Sequence, residues 1–143
     1  MPTFLLKTEP SQYSFADLLR DRRTTWSGVS NPAALIALRS MHKGDAALIY
    51  HTGDERAIVG LARVASNPFE DPDRPGLTSD GAPRFAVVEL TPLQAVHTPL
   101  SLDAMKADAR FAAFELLRQS RLSVMPVPPR LDKLIRKLTG VGE

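Results

Sequence analysis

The stretch that carries most weight for the fold class is Asp45-Ala46-Ala47-Leu48-Ile49-Tyr50-His51-Thr52-Gly53-Asp54-Glu55-Arg56-Ala57-Ile58-Val59-Gly60-Leu61-Ala62-Arg63-Val64. Asp45 to Thr52 is apolar and β-compatible, Gly53 to Arg56 is a turn, and Ala57 to Val64 returns as the second arm of a hairpin. Upstream, Thr3-Phe4-Leu5-Leu6 is a short apolar run ended by Lys7-Thr8-Glu9-Pro10, which predicts an opening buried strand. Downstream, Phe85 to Val96 is again β-patterned through Val87, Val88 and Leu90. Leu122 to Val127 alternates as a further strand.

Short helices fall between these strands. Ser14, three residues before Asp17, predicts an N-capped helix over about 14–21. Asn31-Pro32 starts another, with Leu35, Leu38 and Met41 at helical spacing, Ile36 widening the apolar face and Gly44 as the stop. Further helices are expected over about 101–107, from Phe111 to Arg118, and after Pro128-Pro129. The last rests on Leu131, Leu134, Ile135 and Leu138 and closes at Gly140. Asp21 to Thr25 is a polar turn leading to Trp26, and residues 66–84 form a long Pro- and Gly-rich loop, a type that is usually functional or mobile. Five or six strands with short flanking helices predict an α+β domain, a small mixed sheet curled into a barrel, over the whole of residues 1–143.

Composition narrows the function. Hydrophobic residues are 43% and charged residues 24% of the 143, which is globular usage. Cys is absent, which removes disulfides, thiol nucleophiles and Cys-ligated metals. His42, His51 and His97 lack ligand spacing, and no glycine-rich phosphate loop or nucleophile elbow occurs, so neither metal nor cofactor is expected. No run is long enough to span a membrane, and a cytoplasmic protein is the expectation. Charge is uneven: residues 1–43 carry net +3, residues 44–103 net −5 and residues 104–143 net +4. Two basic ends around an acidic middle can fold into one positive face for phosphate, or into a mixed solvated surface.

Four clusters can carry chemistry: Lys7-Thr8-Glu9-Pro10-Ser11, Thr25-Trp26-Ser27-Gly28-Val29-Ser30-Asn31, Tyr50-His51, and Ser120-Arg121-Leu122-Ser123. Each has a plain structural reading, as ion pair, core Trp, satisfied imidazole or turn. Together they read differently. A flat indole followed by Ser-Gly leaves space and exposed backbone N–H groups beside an aromatic face, and a helix start follows. Stacking of one unpaired base on such a ring is worth about 1–3 kcal/mol and tolerates any base, while polar neighbours read its edge.

In order and spacing, these clusters with Ile58-Val59-Gly60-Leu61-Ala62 resemble the successive motifs of the EVE domain family, from Phe4 to about Leu138. The resemblance implies a PUA-like fold, related to the YTH domains that hold methylated adenine in an aromatic cage. It also implies a reader of modified bases, chiefly modified cytosines in DNA. On that pattern Trp26 is a pocket wall, Ser27, Gly28, Val29 and Asn31 line it, and Lys7, Thr8 and Glu9 edge it. Tyr50 and His51 close it, and Arg121 and Ser123 approach from another side, with Arg121 and Lys7 on phosphate. The family's turn usually reads Trp-x-Gly-Val-Arg-Asn, whereas this chain has Ser30 at the arginine. Arg39, on a later helical turn, is a partial substitute.

The expected partner is therefore nucleic acid, DNA with a modified base or RNA, and no catalysis is expected. The alternative is a small amidohydrolase-like enzyme of the wider PUA-like group, using Lys7, Thr8 and Glu9. Base stacking requires Trp26 to be partly exposed beside an open pocket.

Overall fold

Leu5 and Leu6 have no solvent exposure in β1 (Thr3–Thr8), because a strand lies on each side of it. β3 (Ala46–His51) runs parallel to it and β7 (Val124–Val127) antiparallel. The computed structural model describes residues 2–141; Met1, Gly142 and Glu143, which the single-domain reading includes, lie outside the described residues.

From β3 the chain turns through Gly53, at φ 76°, into antiparallel β4 (Ala57–Val64), as the hairpin pattern requires. β4 pairs in turn with β6 (Ala86–Ser101), a 16-residue strand whose early residues also pair with β2 (Thr24–Trp26) and β5 (Phe69–Glu70). The result is a seven-stranded mixed sheet in the order β2-β6-β4-β3-β1-β7, with β5 alongside β6. Register shifts between Ile49 and Tyr50, between Ile58 and Gly60, and between Leu61 and Ala62 bend the central strands and curl the sheet into a half-barrel.

Gly60 stands at one of these bends for a steric reason. A Cβ there would lie 2.4 Å from the Phe15 ring. Phe15 opens α1 (Phe15–Asp21), which Ser14 and Asp17 cap reciprocally, as their spacing predicts. Asn31 caps α2 (Pro32–Arg39), and Ser101 caps α3 (Leu102–Lys106). α4 (Glu115–Arg118) and α5 (Pro129–Thr139) complete the helices, the last ending on left-handed Gly140. Buried side chains from all five helices and the sheet join in one apolar cluster.

Several expectations need correction. Trp26 ends a strand rather than a turn; Thr24-Thr25 carries no apolar signal because β2 is an edge strand pairing only with β6. β6 runs on through Thr98-Pro99-Leu100 to Ser101. The segment from Phe111 to Arg118 is not one helix: a 3-10 turn over Ala109–Phe111 precedes α4 and buries Phe111 and Phe114 together. Ile36 is 63% exposed, since Ala34, Leu35 and Leu38 form the inward face of α2. Leu138 is also exposed. Among the described residues no helix is long and apolar enough to cross a membrane.

Candidate nucleic-acid interface

The end of β1, the segment entering α1 and the turn after β2 enclose a cleft of about 480 Å³. It brings together Lys7, Thr8, Glu9, Trp26, Ser27, Gly28, Val29 and Ser123, eight of the residues singled out in the sequence from three separate segments. The β1–β7 ladder explains the most distant pairing. Leu6 pairs with Val124, and the Lys7 N–H continues the ladder to the Ser123 carbonyl at 2.9 Å.

Trp26 is 9% exposed, so most of the ring is core and the remainder borders the cleft. Its partner is Tyr13, in edge contact with centroids 6.4 Å apart and planes at 80°. Gly28 has φ 80°, a conformation that favours glycine, and a Cβ there would meet nothing within 4 Å. The glycine is thus required by the backbone, and the space beside it stays open. Ser27 and Ser30 are exposed, whereas Val29 packs inward.

The polar edge is held by protein partners. Lys7 Nζ donates to the Ser120 carbonyl at 3.0 Å and sits 5.9 Å from the Tyr50 ring centroid, a contact set by the Lys7–Tyr50 pairing of β1 with β3. Burial pushes the Lys7 ammonium below its ordinary value. Thr8 Oγ1 donates to the Tyr13 carbonyl at 2.6 Å. The Glu9 carboxylate accepts from the Ser11 N–H and hydroxyl, each at 3.0 Å, and from Thr52 Oγ1 at 3.2 Å. The Ser11 N–H above all keeps Glu9 below the usual carboxylate range.

The other sequence-predicted residues do not line this cleft. Asn31 Oδ1 accepts from the Ala33 and Ala34 N–H groups as the cap of α2. His51 is buried behind the cleft; its Nε2 accepts the Phe15 N–H at 3.0 Å, and its Nδ1 lies 2.7 Å from Glu55 Oε1. This bond puts the proton on Nδ1 and makes His51 the anchor of α1. Tyr50 borders a neighbouring hollow. Arg121 is exposed one residue beyond Ser120.

Sequence reasoning missed Gln12, Tyr13 and Thr24 among the lining residues, and Arg74 behind them. Arg74 belongs to the long loop, yet its Nη1 donates to Ser30 Oγ at 2.9 Å and its Nη2 to the Val29 carbonyl at 3.0 Å. Its guanidinium also covers the Phe85 ring, 4.3 Å from the centroid. Arg39 instead donates to the Arg84 carbonyl at 3.0 Å and is not among the lining residues. Only the Ser30 hydroxyl, a short acceptor, hints at this arrangement. Among the described residues no group of three or more His, Asp or Glu side chains is placed to hold a metal ion.

The same fold occurs in proteins of known structure. A protein of known structure from Rhodopseudomonas palustris, Rpa0253, is 32% identical over 100% of this chain and 96% of its own, with a TM-score of 0.88. Human THYN1, solved in complex with 5-methylcytosine-containing DNA, superposes with a TM-score of 0.87 at 22% identity, covering both chains fully. An ASCH protein from Zymomonas mobilis shares the fold more loosely, with a TM-score of 0.59 at 15% identity over 99% of this chain and 98% of its own. No curated protein matches significantly. Residues 3–138 match the model of the EVE domain, and the chain belongs to the EVE domain family.

Proposed function

We propose that this protein binds nucleic acid and holds one unstacked base, with modified cytosine in DNA as the preferred ligand, in the cleft beside Trp26. The observation that carries this reading is the cleft itself. An indole wall stands next to the open space at Gly28, and the polar residues Lys7, Thr8, Glu9 and Ser123 line the same volume. Its size of about 480 Å³ falls in the range of small-ligand sites. What human THYN1 was solved with gives the first base to try.

Tyr13 extends the aromatic side of the site, and the hydroxyls of Ser27 and Ser30 add donors and acceptors for a base edge. The amidohydrolase alternative has less support. Lys7, Thr8 and Glu9 share the cleft, but each polar head bonds to a different structural partner rather than to one another. A relay needs those heads within hydrogen-bond reach of each other or of one substrate atom. Turnover of acylated nucleosides that vanishes in Lys7→Ala would reverse this preference.

The test uses Trp26 as the reporter, because it is the only tryptophan. Oligonucleotides each carrying one modified base are titrated at fixed low salt, since phosphate contacts make affinity salt-dependent. The expected result is quenching by one class of modified cytosine well below the concentration needed for the unmodified strand. A panel with no selective response refutes base reading.

A further inference from the structure

Lys7 borders two hollows. Besides the Trp26 cleft it lines a second one, of about 300 Å³, between the β3–β4 turn, α3 and the segment before β7. Arg56 and Lys106 line this second hollow with it, and Thr52 and Ser120 add hydroxyl groups. Its lining residues include no carboxylate. Of the nearby acids, Glu9 is held by Ser11 and Thr52 and Glu55 faces His51, while Asp103 lies close enough to act on Tyr50 and offsets part of the positive charge, leaving the three cations in excess.

Two features separate this cluster from an ordinary solvated surface. Lys7 is half-buried, yet among the described residues its ammonium has a single hydrogen-bond acceptor, the Ser120 carbonyl. Its remaining donors are left for a ligand, and a desolvated cation favours an anionic one. Arg56 has φ 44°, a left-handed conformation that glycine or asparagine takes more readily than arginine. Its carbonyl accepts the Leu102 N–H at 2.8 Å, which ties the start of α3, and so Lys106, to the same turn. A non-glycine residue kept in such a conformation is a recurrent mark of functional sites.

We propose that Lys7, Arg56 and Lys106 bind one backbone phosphodiester of the nucleic acid, next to the nucleotide whose base enters the Trp26 cleft. The shared Lys7 makes the two hollows neighbours, so one nucleotide and its flanking phosphate fill both. The site takes its polymer from the proposed function, but the cation cluster stands without it. Arg56 and Lys106 belong to different charge segments of the chain and meet only through the contact of the β3–β4 turn with α3.

The test is a salt titration of binding to a duplex carrying one 5-methylcytosine and to the same duplex unmodified. Arg56→Gln and Lys106→Gln should each weaken both duplexes by the same several-fold factor. Each should also flatten the salt dependence by about one phosphate. Both side chains are exposed, and circular dichroism checks the fold; Lys106→Gln carries the test if the strained Arg56 turn does not tolerate change. Unchanged salt slopes in both variants overturn the phosphate site, even if Trp26 still responds to the modified base. Weakened binding and flatter slopes without any Trp26 response support the phosphate site while base reading fails. Competition by inorganic phosphate at constant ionic strength separates the sources: Arg56-dependent phosphate binding with an unaltered duplex slope overturns the backbone assignment.

Discussion

Arg74 Nη1 donates to Ser30 Oγ at 2.9 Å, across 44 residues of sequence. This bond, with Arg74 Nη2 on the Val29 carbonyl, fastens the long loop to the turn that follows Trp26. Asp71 holds the other edge of the guanidinium at 3.4 Å, and Phe85 lies beneath it. One side chain therefore unites a loop, a pocket turn and the first residues before β6.

Arg74→Ala should cost about 1–3 kcal/mol of stability, the range for hydrogen bonds made by a charged group. It should also speed amide exchange around Ser30 and weaken oligonucleotide binding. Arg74→Lys should not restore the loss, because an ammonium cannot reproduce the planar fork over Phe85. Denaturant melts and hydrogen exchange measure both variants. Unchanged exchange near Ser30 would show that the turn holds its shape without the clamp.

Trp26→Ala tests the wall of the cleft. With the ring 9% exposed, truncation should destabilise the fold by about 3 kcal/mol, the lower end for a packed aromatic, because one side already faces open space. Binding should fall by a further ~1–3 kcal/mol, the worth of one base–aromatic stack. Trp26→Phe should recover most of the stability but less of the affinity. Equal recovery of both would make the indole a packing element only.

Gly60→Ala tests the fold behind the site. The new Cβ would lie 2.4 Å from Phe15, which is itself 4% exposed and has no room to retreat. Overpacking of this kind costs about 1–3 kcal/mol, and Phe15→Leu in the same chain should return part of it. Thermal melts of the single and double variants give the coupling. Additive losses would mean that the two positions do not collide.

Lys7 gives a pH dependence with two opposite signs. Burial lowers its folded-state pKa below the ordinary 10.5, so in that window the unfolded chain binds more protons than the folded one. The stability contribution of this group therefore rises as pH climbs through the lowered value towards 10.5. Nucleic-acid affinity moves the other way, because the ammonium that attracts phosphate is lost in the same interval. Lys7→Arg, which stays charged, should flatten the affinity profile. Parallel profiles for wild type and variant would place the titrating group elsewhere.

The sequence was most legible where physical signals are local. The Thr3–Leu6 run, the Gly53 turn, the Ser14/Asp17 capping pair and Asn31-Pro32 each act within a few residues, and each lies where its chemistry requires. The ordered motifs also placed Trp26, Gly28 and Lys7 in one site, and the cleft gathers them. What neighbouring residues cannot encode is which distant strand edge or loop arrives beside them. β2 is polar and depends on β6 for its pairing, so no local pattern marked it. Asn31 and His51 read as pocket groups, but the fold commits them to capping α2 and anchoring Phe15. Arg56 lies in the acidic middle of the chain, where its charge looks outweighed. Only the parallel register of β1 with β3, and the seating of α3 on the turn, set it beside Lys7 and Lys106. Local sequence therefore determined the elements and the aromatic wall. The tertiary structure decided which cations share the hollow next to the cleft, because electrostatic neighbourhood depends on distance in space and not along the chain.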